Sequence, residues 1–340
     1  MNVVDGLDPD AVARFFFEHV PGFDGKLRAE LVQGGRSNLT YKVTDGRTCW
    51  VLRRPPLGDL TPSAHDVGRE FRVLSALADS GVPVARAVAL GDTSVMGVPF
   101  SVVEYVDGVV MRTEEDLNAL SDRTAVRCAH ALVDVLTRLH DVEPAAVGLS
   151  GLGRPEGYLA RQVGRWYGQW LRVRTRDLTD IEVLHERLAA AHPTESGASV
   201  VHGDFRIDNA ILARDDPSQV RALVDWEMAT IGDPLADLGL HLVYTDPAFS
   251  PVLAGGAAST SSRLPSPEDL AQRYSAMSGR SLDHLGFYLA LGYFKIAVIA
   301  EGIHARHRQG LTLGSGFETV RDAPAPLAAA GLHALRGGGF

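Results

Sequence analysis

"VHGDFRIDN" (201–209) follows the residues "ASV" and brings a His, two Asp, an Arg and an Asn to the end of a predicted buried strand. Asp204 and Asn209 are five positions apart, the spacing at which phosphoryl-transfer sites carry a hydroxyl-activating Asp and a magnesium-binding Asn. Arg206 stands where its charge would meet a γ-phosphate. The alternative is a polar turn closing a hairpin, with Asp208 and Asn209 as turn-forming residues. A second motif is needed to separate the two interpretations.

That second motif is "RALVDWEMATIGDPLADLG" (221–239), which places Asp225 at the end of an apolar strand, sixteen positions after Asn209. An acidic residue there is expected to be the second magnesium ligand, since magnesium beside nucleotide phosphates takes few protein carboxylates. Asp233 is predicted to cap a helix and Asp237 to brace the loop. Together the two motifs favour a phosphoryl-transfer site over a simple turn.

Composition narrows the classes of partner. The 340 residues carry a net charge of −9, so no excess of Lys and Arg is available to neutralise nucleic-acid phosphates. Cys49 and Cys128 are the only cysteines, and the N-terminus is acidic rather than basic, which predicts a cytoplasmic protein. The apolar run 284–300 is interrupted by Lys295 and is predicted to be a buried helix rather than a membrane span. No P-loop or nucleophile-elbow motif occurs.

The pattern of apolar residues divides the chain into an N-terminal lobe (1–106) and a C-terminal lobe (107–340). The smaller lobe is predicted to contain strands at 27–33, 39–44, 48–54 and 99–108, and a helix at 63–81. The larger lobe is predicted to contain helices at 114–142, 155–173, 179–192, 267–278 and 282–307, strands at 198–202, 210–213 and 220–225, and a long loop at 246–267. The fold class is therefore α+β, with a small antiparallel sheet and a mainly helical second lobe.

The two motifs resemble those of the aminoglycoside phosphotransferase and choline kinase family, and the resemblance extends over about residues 30–310. "GGRSNLTYKV" (34–43) and "WVLRRPP" (50–56) are most similar to the kinase-like domain fused to some acyl-CoA dehydrogenases and to its free-standing bacterial relatives. The resemblance implies a bilobal protein-kinase-like fold, with a nucleotide-binding N-lobe and a catalytic C-lobe. It also implies use of ATP or GTP with Mg²⁺ to phosphorylate a small-molecule hydroxyl.

The resemblance assigns nucleotide-binding roles to the smaller lobe. Arg53 would reach the α- and β-phosphates where the family more often has Lys, and Arg54 and Lys42 are rival cations. Glu70 would pair with Arg53, whereas the pattern alone equally allows a solvated helix charge. The remaining positions implied to contact nucleotide are Gly34, Gly35, Ser37 and Asn38 over the phosphates, Val51 against adenine, and the backbone from Glu104 to Val106 at the hinge. Without the resemblance, residues 33–38 equally fit an ordinary hairpin turn.

The acceptor is expected between the 202–209 loop and the helical lobe, near 158–170, Tyr244 and 301–310. The nearer resemblance implies an acyl-CoA-linked hydroxy acid, and Arg165, Arg172 and Arg174 suit an anionic acceptor. An aminoglycoside is less favoured, because no dense acidic run is present to hold a polycation. Trp166 and Trp170 are interpreted as core residues, and Glu301, His304 and His307 as a solvated helix end rather than a metal site. The alternative function is a pseudokinase that binds nucleotide without transfer, and the sequence predicts no oligomeric state.

Overall fold

The computed structural model describes residues 6–32, 38–56, 66–253, 257–312 and 316–337. Gly34, Gly35 and Ser37 therefore lie outside the described residues. The chain divides into two compact units, and each is treated separately below. The first comprises Met1–Gly108 and Arg221–Glu227, and the second comprises Val109–Val220 and Met228–Phe340.

The first unit contains a five-stranded antiparallel sheet with the order β1-β2-β3-β5-β4. Its strands are β1 Arg28–Leu31, β2 Leu39–Thr44, β3 Cys49–Arg54, β4 Ala87–Gly91 and β5 Phe100–Glu104. Strand β4 is not among the strands predicted from the sequence. In β3, alternate residues face opposite sides, so Trp50 and Leu52 are buried in the core while Val51 and Arg53 share the other face.

The helices of this unit are α1 Pro9–His19, α2 Val67–Leu77 and α3 Thr93–Met96. Helix α1 was not predicted. It covers the core face of the sheet, because Phe15 contacts Phe100 edge-to-face at 4.8 Å and Phe16 contacts Trp50 edge-to-face at 5.6 Å between ring centroids. Helix α2 begins at Val67, where the side chain of Asp66 caps it, so it is shorter than the predicted helix at 63–81.

The second unit is mainly helical. Its helices are α4 Glu114–Asn118, α5 Asp122–His140, α6 Tyr158–Val173, α7 Thr179–Ala190, α8 Pro234–Val243, α9 Pro267–Ser278, α10 Leu285–Arg308 and α11 Pro324–Ala334. The single helix predicted at 114–142 is two helices, because Ser121 adopts an extended conformation and caps α5 through its hydroxyl. Helices α8 and α11 were not predicted as elements, although Asp233 caps α8 as expected. The predicted loop 246–267 contains 3₁₀ turns at Pro247–Val252 and Ala258–Thr260.

Helix α10 is the central helix of this unit and packs against α6, α7, α8 and α11. Gly239 of α8 permits this close packing, since a Cβ there would lie 2.7 Å from the backbone of Tyr288. Within the described residues, α10 alone is both long and apolar enough to cross a membrane, and 78% of its most apolar window is buried inside the structure.

Short strands precede and follow the 202–209 loop along the chain. They are β6 Ser199–Val201, β7 Ala210–Leu212, β8 Val220–Leu223 and β9 Thr230–Gly232. Strand β6 pairs antiparallel with β9 from Ser199↔Gly232 to Val201↔Thr230. The 202–209 loop begins directly after β6, so its backbone starts from a fixed, hydrogen-bonded position.

Candidate active site

In the first unit, Arg53 contacts two carboxylates from distant parts of the chain. Its Nη1 lies 3.4 Å from Glu70 Oε2 on helix α2, and its Nη2 lies 3.7 Å from Asp225 Oδ1. We call Arg53, Glu70, Asp225 and Glu227 the Arg53 cluster. Its ion pairs bring together residues that the sequence placed in separate motifs.

The two rival cations have other partners. Arg54 lies on the buried face of β3, where its guanidinium donates to the carbonyls of Pro55 and Gly6. Lys42 lies over the ring of Tyr105, with Nζ 4.4 Å from the ring centroid. Of the three, Arg53 is the cation that contacts the carboxylates.

Glu70 is 3% exposed, and its Oε1 has no hydrogen-bond partner. Burial raises the pKa of Glu70 to about 7, although the nearby Arg53 lowers it. In an ion pair with a purely structural role, a carboxyl group with a raised pKa and one oxygen without a hydrogen bond is unusual. Such groups occur where a ligand completes the hydrogen bonding.

Asp225 has a left-handed backbone conformation, with φ of +68°. It is the one described residue other than glycine with a positive φ, a conformation that Asp tolerates better than most residues but that still costs energy. Its Oδ1 is buried without a hydrogen bond. The backbone therefore holds this carboxylate in an unusual position with an oxygen free to accept.

A cation fits the donor set of the Arg53 cluster. One carboxylate oxygen from each of Glu70, Asp225 and Glu227 lies within 4.8 Å of the others. Oxygen donors of this kind suit Mg²⁺, which binds through one or two carboxylates beside phosphates. Glu227 was missed by the sequence analysis, although "DWE" contains it two positions after Asp225. Elsewhere in the first unit, Asn38, directly before β2, has two buried atoms without partners, Nδ2 and Oδ1.

The hinge positions occupy the end of β5. The amide of Glu104 donates to the carbonyl of Arg86 at 2.9 Å, and the amide of Tyr105 donates to the carbonyl of Cys49 at 3.4 Å. The sheet therefore uses these two amides. Pairing of the Glu104–Val106 backbone with adenine stays a prediction.

In the second unit, the 202–209 loop is held by a carboxylate on α8. The amides of His202 and Gly203 donate to the two oxygens of Asp237, at 2.5 and 2.8 Å. The prediction that Asp237 braces the loop is confirmed. His202 is fully buried and its Nδ1 accepts from the amide of Asp204 at 3.3 Å, so this side chain stabilises the loop from within.

Asp204 accepts hydrogen bonds on both carboxylate oxygens. Oδ2 accepts from Asn209 Nδ2 at 3.0 Å and from Arg206 Nε at 3.3 Å. Oδ1 accepts from the hydroxyl of Tyr244 at the end of α8. The structure thus brings Asp204, Arg206 and Asn209 together, and it adds Tyr244, which the sequence analysis placed only in the general acceptor region.

The surroundings of Asp204 keep it ionised. Burial raises the pKa of Asp204, but the charges of Arg206 and Lys295 and the hydrogen bond from Tyr244 outweigh burial and hold the pKa below its usual range. Burial and the adjacent carboxylate raise the pKa of Tyr244 well above its ordinary value, so its hydroxyl stays a donor. The result is a fixed anion at the end of β6.

Arg206 and Asn209 have defined orientations. Arg206 Nη1 lies 2.6 Å from Asp208 Oδ2, so this guanidinium bridges two aspartates. Asn209 Nδ2 also donates to the backbone carbonyl of Asp204 at 2.9 Å. Since Nδ2 makes both bonds to Asp204, Oδ1 is the atom of Asn209 left for a cation.

The structure tests two predictions for the larger lobe, one for the tryptophans of α6 and one for Glu301 of α10. Trp166 and Trp170 are buried, at 8% and 0% exposure, which confirms them as core residues. The solvated helix end was wrong for Glu301, which is fully buried and accepts from the amide and hydroxyl of Thr175 at 2.8 and 2.6 Å. Pattern alone missed this because the partner lies in a loop more than a hundred residues away.

The sequence is similar to that of a known enzyme family and to curated proteins. Residues 28–271 match the phosphotransferase enzyme family. The chain is 34% identical over 336 residues to human acyl-CoA dehydrogenase family member 11, covering 96% of this chain and 43% of that protein. The chain thus spans less than half the length of this curated relative.

Solved structures show the same fold. A protein of Ralstonia eutropha assigned as an aminoglycoside phosphotransferase superposes with a TM-score of 0.83 at 29% identity, covering 98% of this chain and 99% of that chain. A thermostable mutant of aminoglycoside phosphotransferase APH(4)-Ia, in a ternary complex with AMP-PNP and hygromycin B, has a TM-score of 0.62 at 16% identity, covering 96% and 98%. The α+β kinase-like fold expected from the sequence is confirmed.

Proposed function

This chain belongs to the phosphotransferase enzyme family, and we propose that it transfers the γ-phosphoryl group of ATP or GTP to a hydroxyl of a small molecule. The observation that carries the proposal is Asp204, a carboxylate kept ionised and fixed on both oxygens at the end of a strand. Phosphoryl transfer depends mainly on positioning and electrostatics, and this loop supplies both.

The nucleotide is assigned to the first unit. Arg53 contacts the α- and β-phosphates, Val51 packs on adenine, and the Glu104–Val106 backbone pairs with the base. Gly34, Gly35, Ser37 and Asn38 cover the phosphates, with Asn38 supported by its two unpartnered polar atoms. Asp225 and Asn209 are the proposed magnesium ligands, each with an oxygen available. When bound, Mg²⁺ neutralises phosphate charge and orients the γ-phosphoryl group.

Asp204 accepts the proton of the acceptor. A carboxylate has about four acceptor positions, and Tyr244, Asn209 and Arg206 occupy three of them. The acceptor hydroxyl therefore binds Oδ1 beside Tyr244. Its proton passes to Asp204, its oxygen forms a bond to the γ-phosphorus, and the bond to the β-phosphate oxygen breaks to release the nucleoside diphosphate. Arg206 stabilises charge on the group being transferred.

We propose an uncharged or anionic acceptor, of which a hydroxyacyl thioester is the leading example. The cations Arg206 and Lys295 act on Asp204, and Arg165 is close enough to influence Lys295. A polycationic aminoglycoside would meet these positive charges beside the base. The similarity to an acyl-CoA dehydrogenase family member supports the thioester.

The proposal is tested by incubating the protein with Mg²⁺, γ-labelled ATP or GTP, and a panel of hydroxy acids, hydroxyacyl thioesters, simple alcohols and aminoglycosides. The expected result is a phosphate ester on a hydroxyacyl thioester and none on the aminoglycosides. Asp204→Asn should abolish the product. Asp134→Asn is the matched control, because Asp134 pairs with Arg273 elsewhere in the second unit.

Two results would overturn parts of this proposal. Product on an aminoglycoside but on no thioester would refute the acceptor class while keeping the reaction. No product with any acceptor, together with nucleotide binding that does not respond to Mg²⁺, would instead identify a pseudokinase.

A further inference from the structure

Lys295 is the one charged residue in the apolar run "LGFYLALGYFKIAVIA" (285–300) of helix α10. Most of this stretch is buried against neighbouring helices. Transferring an ammonium group from water into such surroundings is unfavourable unless it gains specific partners. The partners of Lys295 are therefore informative.

The Nζ of Lys295 donates a hydrogen bond to the backbone carbonyl of Gly203. This carbonyl belongs to the peptide that joins Gly203 to Asp204. The amide of Gly203 donates to Asp237 Oδ1 at 2.8 Å. Gly203 is thus held through its amide by α8 and through its carbonyl by α10.

Gly203 needs such support because its backbone is unusual. Its φ is +80°, and a Cβ there would lie 2.7 Å from the carbonyl oxygen of Met228, so this position requires glycine. Glycine leaves the backbone free to rotate, and rotation of the next peptide would displace Asp204. The bond from Lys295 opposes that rotation.

The other contacts of Lys295 fix it in place. Nζ lies 5.3 Å from the centroid of the Trp166 ring, on helix α6. Burial lowers the pKa of Lys295, whereas Asp204 and Asp237 raise it and Arg165 and Arg206 lower it. A lysine kept only for an ion pair would place its hydrogen bond on a carboxylate, and this one places it on a carbonyl.

We propose that Lys295 is a positioning residue, which fixes the Gly203–Asp204 peptide through the Gly203 carbonyl and so places the Asp204 carboxylate for proton transfer. This inference rests on the function proposed above for Asp204. It assigns to α10 a part in the reaction that neither motif contains.

The first test measures the loop itself and needs no substrate. Lys295→Met keeps the length of the side chain and removes its charge and donors, whereas Lys295→Arg keeps both. Hydrogen exchange at the amides of Gly203 and Asp204 should become about tenfold faster in Lys295→Met and change little in Lys295→Arg. Arg273→Met is the control, because Arg273 pairs with Asp134 on α5, and it should leave both amides unchanged.

The second test measures phosphoryl transfer. Lys295→Met should lower kcat about a hundredfold and leave the KM for ATP within about twofold, since displacing a catalytic group by about 1 Å has this effect. Lys295→Arg should restore most of kcat. If Lys295→Met fails to fold, Lys295→Gln replaces it with the same expected results.

Unchanged exchange at both amides in a folded variant would overturn the proposal. So would a tenfold rise in the KM for ATP at constant kcat, which would assign Lys295 to nucleotide binding. If the wild-type protein transfers no phosphate, the proposed function fails, and the exchange measurement still decides whether Lys295 holds the loop.

Discussion

The Arg53 cluster and the 202–209 loop are both rich in charge, but they differ in how completely their polar atoms are partnered. In the Arg53 cluster, three buried atoms have no hydrogen-bond partner, and they belong to Arg53, Glu70 and Asp225. In the loop, Asp204 is bonded on both oxygens and Asp237 holds the backbone. Arg206 Nη1 also lacks a hydrogen bond, but it is ion-paired with Asp208 at 2.6 Å. Buried unpartnered groups cost stability, so they persist where a ligand completes them.

This difference in hydrogen bonding indicates a separate role for each region in the proposed reaction. The loop is preorganised, because its carboxylate is oriented before any substrate arrives. Under the function proposed above, nucleotide and a cation complete the Arg53 cluster. Changes in the loop should therefore affect the rate of transfer and the stability of the protein, whereas changes in the cluster should affect binding.

The largest expected effect separates rate from binding. Asp204→Asn should lower kcat by about a thousandfold or more with unchanged nucleotide affinity, because a general base is lost. Asp225→Asn should mainly raise the KM for the magnesium nucleotide. Initial rates over a range of nucleotide concentrations measure both kcat and KM. A rise in KM for Asp204→Asn with no fall in kcat would contradict the assignment of the loop to rate rather than binding.

The next largest effect concerns stability. Asp237→Asn should lower the free energy of unfolding by about 3 kcal/mol, because an amide group would face the amides of His202 and Gly203. Urea unfolding measures the loss. The control Asp134→Asn should cost less than about 1 kcal/mol, since its ion pair with Arg273 is about one-third exposed. Equal losses in the two variants would show that the loop is not specially braced.

Glu70 lies in the Arg53 cluster, where ionisation of the wild-type carboxyl group is expected to destabilise the folded protein. Because its pKa is raised from 4.5 to about 7, the folded state binds more protons than the unfolded state between these values, and its contribution to stability falls as pH rises through this range. Between pH 5 and pH 8, wild type should lose about 2 kcal/mol relative to Glu70→Gln. Thermal unfolding at both pH values measures this, with the exposed Glu18→Gln as control. A variant that is destabilised equally at both pH values would contradict the prediction.

The smallest effect is expected at Asn38. Asn38→Ala should leave the stability of the nucleotide-free protein nearly unchanged, because both polar atoms of this side chain lack partners. Nucleotide affinity should fall about fivefold, the value of one hydrogen bond. Calorimetric titration with the magnesium nucleotide measures the affinity. Loss of stability without loss of affinity would place Asn38 in the structural core.

The sequence predicted the loop well because its parts are close along the chain. Asp204, Arg206 and Asn209 lie within six positions, and Asp233 and Asp237 follow a helix-start pattern that local physics explains. Tyr244 and Lys295 could not be assigned in this way, since they lie 40 and 92 residues from their partners. The sequence did mark Lys295 as unusual, because it is the one charged residue in an apolar helical stretch.

The same distinction holds for the fold. Strands β2 and β3 and helix α9 were predicted almost to the residue, because their alternation and capping are local. Strand β4 and helix α1 were missed. Helix α1 is held by edge-to-face contacts of Phe15 and Phe16 with a sheet formed by later residues.

The sequence alone showed which side chains follow the strands: a carboxylate, an arginine and an asparagine after β6, at the spacing that predicts phosphoryl transfer, and the acidic residue Asp225 after β8. Only the tertiary structure decided which cation meets Glu70 and which groups hold Asp204. The physical reason is that spacing along the chain fixes contacts within one loop or helix turn. Burial and partners across helices depend on packing, which brings residues together regardless of their separation in sequence.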